Sequence, residues 1–211
     1  MVLKLWHCTG ARSVRPLWTM EEMGLDYQLE VMQFPPRFMH TGYTEINPIG
    51  TVPFFTDEHV AMTESAGISQ YLVDRYGPTE LALTVDEPDY GLYLNWLHRS
   101  DATLTFPQTI VLRYKLLEPP ERKLPQAAED YGNWYIARLK RLNAHIKNRE
   151  FLCDNRFTVA DIAIGYALYL GELQGFSERY TPDVRDYLAR LKARPAFAKA
   201  SIIGAEKSNF K

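Results

Sequence analysis

The chain has 211 residues, is 46% hydrophobic and 24% charged, and carries a formal net charge of −2. That is enough chain to bury real cores in one large domain or two small ones, and the near-neutral charge with no long basic run excludes a charge-driven nucleic-acid or anionic-membrane binder. Two cysteines, Cys8 and Cys153, exclude a disulfide scaffold and a four-cysteine zinc site.

The opening MVLKLWHCTG holds too short an apolar run for a signal peptide, and no later run is long enough to span a bilayer. The chain therefore reads as soluble and cytoplasmic. Val2 to Trp6 alternates apolar and polar residues and reads as a strand. The small polar stretch HCTGARS follows. Val14, Leu17 and Trp18 have helical spacing, so a helix is expected from Val14 to Met23, stopped by Gly24. Tyr27, Leu29 and Val31 alternate again, which completes a βαβ unit.

An irregular crossover with Pro35, Pro36 and Asn47-Pro48 leads to GTVPFFT, which reads as a strand despite Pro53 inside it. Asp57-Glu58-His59 reads as a turn and Val60 to Met62 as the return strand of a hairpin. Ser65 to Tyr76 is expected to be a helix, closed by Gly77-Pro78. Residues 78–89 read as a linker. Beyond it the patterns are helical only: Asp130 to Asn148, a strongly apolar Val159 to Leu173, Thr181 to Lys192 and Pro195 to Ala200. The expected layout is a small α/β domain over residues 1–77 and an all-helical domain over residues 90–211.

Two stretches point to chemistry. A proline in an apolar strand blocks onward pairing, so the backbone of Val52 is open to an extended peptide added as a strand; the alternative is a plain edge-strand proline. Glu64-Ser65 stands at the start of a helix. Ser65 suits an N-cap, and the helix start also suits a carboxylate, with the acid of Glu64 beside it for an ammonium group.

Taken together, Asn47-Pro48-Ile49-Gly50-Thr51-Val52-Pro53, Glu64-Ser65 and Ile68-x-x-Tyr71-Leu72 resemble the glutathione-binding half of the glutathione transferase family. The resemblance implies a thioredoxin-like domain followed by a helical bundle. It gives Val52 and Pro53 the cysteinyl backbone of glutathione, and Glu64 and Ser65 its γ-glutamyl end. His40, in the crossover, falls where a basic residue meets the glycyl carboxylate. The helical half carries Phe157-Thr158-Val159-Ala160-Asp161-Ile162, similar to the family's capping motif. That makes Thr158 and Asp161 folding residues, not site residues.

The family places a Tyr, Ser or Cys after the first strand to hold the thiolate. Counting back from Gly24, the commonest such position falls near Gly10, which has no side chain. Arg12 and Ser13 match an Arg-Ser pair of bacterial members and are the leading catalytic candidates; Thr9 and Cys8 are the others. By the same resemblance the protein is a homodimeric detoxification enzyme, with the aromatic helix around Tyr90, Tyr93 and Trp96 at the dimer contact. Asp101 would reach the partner's glutathione, and Tyr114 or Trp96 would floor an electrophile pocket against the helical domain. Glutathione is the implied co-substrate, and with no ligand cluster in view no metal is expected. Three activities fit: conjugation of glutathione to a small electrophile, a binding or interaction module with little turnover, and a thiol reductase using Cys8.

Overall fold

The computed structural model describes residues 2–207. Position 1 and positions 208–211, which the expected domain limits include, lie outside the described residues. The chain forms two compact units: residues up to 82 together with those from 192 onward, and Leu83–Leu191.

The first unit is built on a mixed four-stranded sheet of β1 (Leu3–His7), β2 (Tyr27–Val31), β3 (Phe54–Thr56) and β4 (Ala61–Met62), in the order β2-β1-β3-β4. β1 runs parallel to β2, with Leu5 opposite Leu29, and antiparallel to β3, with Leu5 opposite Phe55. As an inner strand β1 is covered on both faces, which is why nearly every residue of it is buried. GTVPFFT is not one strand. Pro53 has no N–H to give a ladder, so pairing begins after it, where Phe54 meets Trp6.

Helix α1 (Val14–Met23) crosses between β1 and β2 and stops at Gly24 as expected. The crossover after β2, expected to be irregular, holds two short helices, α2 (Pro36–Met39) and α3 (Tyr43–Ile46). Its far end is fixed by the Tyr43 hydroxyl and the Asn47 amide, which donate to the Thr51 carbonyl at 2.7 and 2.8 Å. Helix α4 (Ser65–Tyr76) lies against α1 through a polar ladder. Arg15 donates to Ser65 and, one turn on, Thr19 donates to Ser69.

The second unit is helical. Helix α5 (Tyr90–Arg99) runs on through a π-helical turn (Ser100–Thr105), α6 (Phe106–Leu112) and a second π-helical turn (Arg113–Leu117). Helix α7 is Pro125–Ile146, with a proline at its start where the missing N–H is harmless. Helix α8 (Val159–Leu173) is buried on most sides and stands in the middle of this unit. Helix α9 is Pro182–Lys192. Thr158 and Asp161 form a capping box at the start of α8, as the sequence predicts.

Helix α10 (Pro195–Ile202) packs on α1, which places the C-terminal segment with the first unit. Phe197 meets the Trp18 ring edge-on at 4.8 Å. Arg194 grips the Glu22 carboxylate with two bonds of 2.6 and 2.7 Å, and Lys199 reaches Glu21 at 2.8 Å. The first unit is thus a thioredoxin-like domain and the second a helical domain.

Candidate active site

The loop between β1 and α1 is set by a tight turn. The Ala11 N–H donates to the Cys8 carbonyl at 3.1 Å, and Gly10 sits at φ +73°. A side chain at that position would be strained, so turn geometry accounts for a glycine where a serine or cysteine was expected.

Ser13 is wholly buried, and its hydroxyl does not cap α1. It lies 2.9 Å from His7 Nδ1, and accepts the Cys8 N–H at 3.2 Å. His7 Nε2 lies 3.3 Å from the Ile203 carbonyl. Burial lowers the His7 pKa to about 4, so its ring is neutral near pH 7 and has a single N–H. A carbonyl can only accept, so that hydrogen is on Nε2; Nδ1 then accepts the Ser13 hydroxyl. The Ser-His pair faces inward, with no exposed surface on either residue.

The other hydroxyl and thiol of the loop are also engaged or sealed. Thr9 donates its hydroxyl to the Ile203 carbonyl at 3.0 Å. Cys8 is 1% exposed, and burial pushes its thiol up to about 12. A thiol held protonated in this way is a poor nucleophile, which removes the support for a reductase working through Cys8. Arg12, half-buried at the end of the loop, is the charged side chain of this stretch with access to solvent.

The Val52-Pro53 peptide is cis. Val52 packs in one apolar cluster with Trp6, Cys8, Met32, Tyr43 and Phe54, and Ala11 lies against it. The structure therefore brings Val52 and the loop after β1 together. Among the described residues no turn or loop hydrogen bond engages the Val52 backbone.

At α4 the cap position is held by Glu64, not Ser65, and no side chain caps the helix. The first-turn N–H groups are therefore left without intrahelical partners, a ready site for an anion. Ser65 is buried, and its hydroxyl oxygen accepts Arg15 Nη1 at 2.9 Å, which leaves the hydroxyl hydrogen to donate. Glu64 is exposed, with its carboxylate 3.4 Å from the Thr63 hydroxyl. His40 accepts the Gln33 N–H at Nε2 (2.8 Å), so its ring hydrogen is on Nδ1.

Two residues of this neighbourhood escaped the sequence reading: His7, placed only in the small polar stretch after the first strand, and Arg15, inside the first helix. Only the fold shows both to be buried. In the helical unit, Tyr93 and Trp96 are core residues at 1% and 0% exposure, so neither offers a surface for a dimer contact or a pocket floor. Tyr114 is half-buried on the second π-helical turn, and Asp101 is half-buried on the first. No group of three metal-ligating side chains occurs among the described residues.

Over residues 1–74 the chain matches the family described as Glutathione S-transferase, N-terminal domain, and over residues 116–195 that described as Glutathione S-transferase, C-terminal domain. It is 26% identical over 207 residues to Glutathione S-transferase GstA of Escherichia coli O157:H7, covering 89% of this chain and 98% of that one. It is 24% identical over 208 residues to Glutathione S-transferase 3 of Schizosaccharomyces pombe, covering 92% of this chain and 85% of that one. Among solved structures, a glutathione transferase of Phanerochaete chrysosporium in complex with oxidized glutathione superposes with a TM-score of 0.81 at 25% identity. The superposition covers 97% of this chain and 96% of that one.

Proposed function

From its membership of the glutathione S-transferase family, to which this chain belongs, we propose that the protein binds glutathione and conjugates its thiolate to a small electrophile. The observation that carries this reading is the uncapped start of α4, with Ser65 poised to donate. There the γ-glutamyl carboxylate takes the first-turn N–H groups and the Ser65 hydroxyl, and Glu64 takes the amine. Val52 pairs its backbone with the cysteinyl residue in front of Pro53. His40 offers Nδ1–H to the glycyl carboxylate.

The sulfur then faces the loop after β1. The group we assign to the thiolate is Arg12, the charged side chain of this loop with access to solvent, aided by the dipole at the N-terminus of α1; Cys8 and Ser13 are buried and Thr9 already donates to Ile203. Ser13, ranked with Arg12 by sequence, keeps a part in the proposal by fixing the loop through the Cys8 N–H rather than by touching sulfur. A homodimer, a cytoplasmic location and a detoxification role belong to the same proposal. Sedimentation showing only a 24.4 kDa species at micromolar concentration would count against the dimer.

The test is calorimetry with glutathione, followed by conjugation of a generic aromatic electrophile across pH. Binding and turnover are expected, with Arg12→Ala moving the rate profile to higher pH. Tight binding without turnover would replace this reading by the binding-module one, favoured by a loop whose Cys8 and Ser13 are buried and whose Thr9 hydroxyl already donates to Ile203. No binding would overturn both.

A further inference from the structure

We propose that His7 is a positioning residue that latches the loop Cys8–Ser13 to the C-terminal residues Ile203 and Gly204, holding that loop in the shape that meets the thiolate. The inference rests on the glutathione reading of the site.

Three independent contacts define the latch. His7 bridges the two ends, with Nε2–H donating to the Ile203 carbonyl and Nδ1 accepting Ser13, which in turn accepts the Cys8 N–H. Thr9 donates to the same Ile203 carbonyl. Gly204 closes the contact. Its φ is +77°, and a Cβ there would come within 2.4 Å of Val31 Cγ1 and 3.1 Å of Thr9 Oγ1. The segment thus lies against the ends of both β1 and β2 at a distance that excludes any larger residue.

The far side of the latch is anchored as well. Helix α10, which delivers Ile203, is held on α1 by Phe197, Arg194 and Lys199. Helix α1 is where the loop ends. The loop is therefore part of a closed circuit: β1, loop, α1, α10, Ile203, and back through His7 to the loop. A loop whose backbone and single arginine must stabilise a developing charge gains from such fixing, because donors held in place need no reorganisation when the charge forms. Without the circuit the same residues are a surface turn free to fluctuate.

The latch can be cut at either nitrogen. His7→Asn keeps an acceptor near the Nδ1 position and loses the reach to Ile203; His7→Gln keeps a donor near the Nε2 position and loses the hold on Ser13. A chain ending at Ile202 removes the partner, and Gly204→Ala displaces it by pressing on Val31 and Thr9 while leaving every residue of the loop unsubstituted. The first measurement is amide hydrogen exchange of residues 8–13 in the protein without glutathione. Exchange should rise about tenfold in each variant, the expected result of losing one such hydrogen bond, while α4 and α7 keep wild-type exchange. The second is the pH–rate profile of conjugation, which should move to higher pH with a larger loss in kcat than in KM.

Unchanged loop exchange in the shortened chain and in Gly204→Ala would overturn the latch. Faster exchange with an unchanged pH–rate profile would overturn its positioning role and leave a purely structural contact. If His7→Asn and His7→Gln fail to fold, the shortened chain and Gly204→Ala decide by the same two readouts. A wild-type protein that binds no glutathione would defeat the proposed function and, with it, the positioning role, while the exchange data would still say whether the latch exists.

Discussion

Asp161→Ala is expected to damage the fold and spare the chemistry. The Asp161 carboxylate is fully buried and accepts four hydrogen bonds. One oxygen takes the Leu152 N–H at 2.9 Å and the Tyr187 hydroxyl at 2.8 Å; the other takes the Thr158 N–H at 2.9 Å and its hydroxyl at 3.1 Å. The Thr158 hydroxyl can rotate to another acceptor. The two backbone N–H groups and the Tyr187 hydroxyl cannot escape, since all three residues are at 0% exposure. Each buried donor left without a partner costs about 1–3 kcal/mol. Removing the carboxylate also relieves the cost of burying it, so the lower end applies, about 3 kcal/mol for three donors. In a chain of this size 1 kcal/mol moves Tm by about 2–4 °C, so the expected drop is about 6–12 °C. Scanning calorimetry reads the drop, and titration with glutathione well below both transitions reads the site. A variant that melts within about 2 °C of wild type would refute the accounting. So would one that keeps its Tm and loses turnover, because Asp161 would then be part of the chemistry.

Further outcomes follow from the same contacts. Burial raises the Asp161 pKa from 3.8 to about 6, so between those values the folded chain binds more protons than the unfolded one. Stability from this group is full below pH 3.8 and falls as pH rises through about 6; the Tm gap to Asp161→Ala should therefore widen on acidification, and a gap that narrows would contradict it. Ser65→Ala should weaken glutathione binding by about 1.5–3 kcal/mol, the worth of a hydrogen bond to a charged group, and calorimetry showing equal affinity would remove Ser65 from the site. Cys8, held protonated up to about pH 12, should resist thiol reagents near neutral pH in the folded protein; rapid labelling would show a loop more open than this one.

Local signals were legible in the sequence and long-range ones were not. Helices α1, α4 and α8 begin and end where the chain carries its own punctuation: Gly24, Gly77-Pro78 and the Thr158 capping box. Pro53 was visible but placed one step wrong, inside a strand that in fact starts at Phe54. The two π-helical turns between Ser100 and Leu117 left no trace, since a change from one helical repeat to another needs no special residue. The return of α10 to α1 depends on Trp18 meeting Phe197 and Glu22 meeting Arg194, pairs more than 170 residues apart in the chain. Spacing placed Glu64-Ser65 at the start of α4. It did not show which way Thr9, Ser13 and His7 point, because a loop has no repeat from which direction can be read.

That difference bears on Gly10. Measured against the family pattern, a glycine at the thiol position argues for a module without turnover. The energetics argue otherwise. A free thiol titrates at roughly 8.5, and lowering it by about two units takes roughly 2.7 kcal/mol of preference for the thiolate. One hydrogen bond to a charged group contributes about 1.5–3 kcal/mol. A helix N-terminus adds about 0.3–1 kcal/mol at an exposed site. A guanidinium at the edge of the loop and the dipole at the start of α1 together span about 2–4 kcal/mol, a range that includes that figure with no hydroxyl at all, provided that the loop does not move. The left-handed turn at Gly10 and the buried link from Ser13 to His7 are what keep it still. A loop of this kind places its demand on rigidity instead of on one side chain. Its weak point is then the contact with Ile203 and not the missing serine.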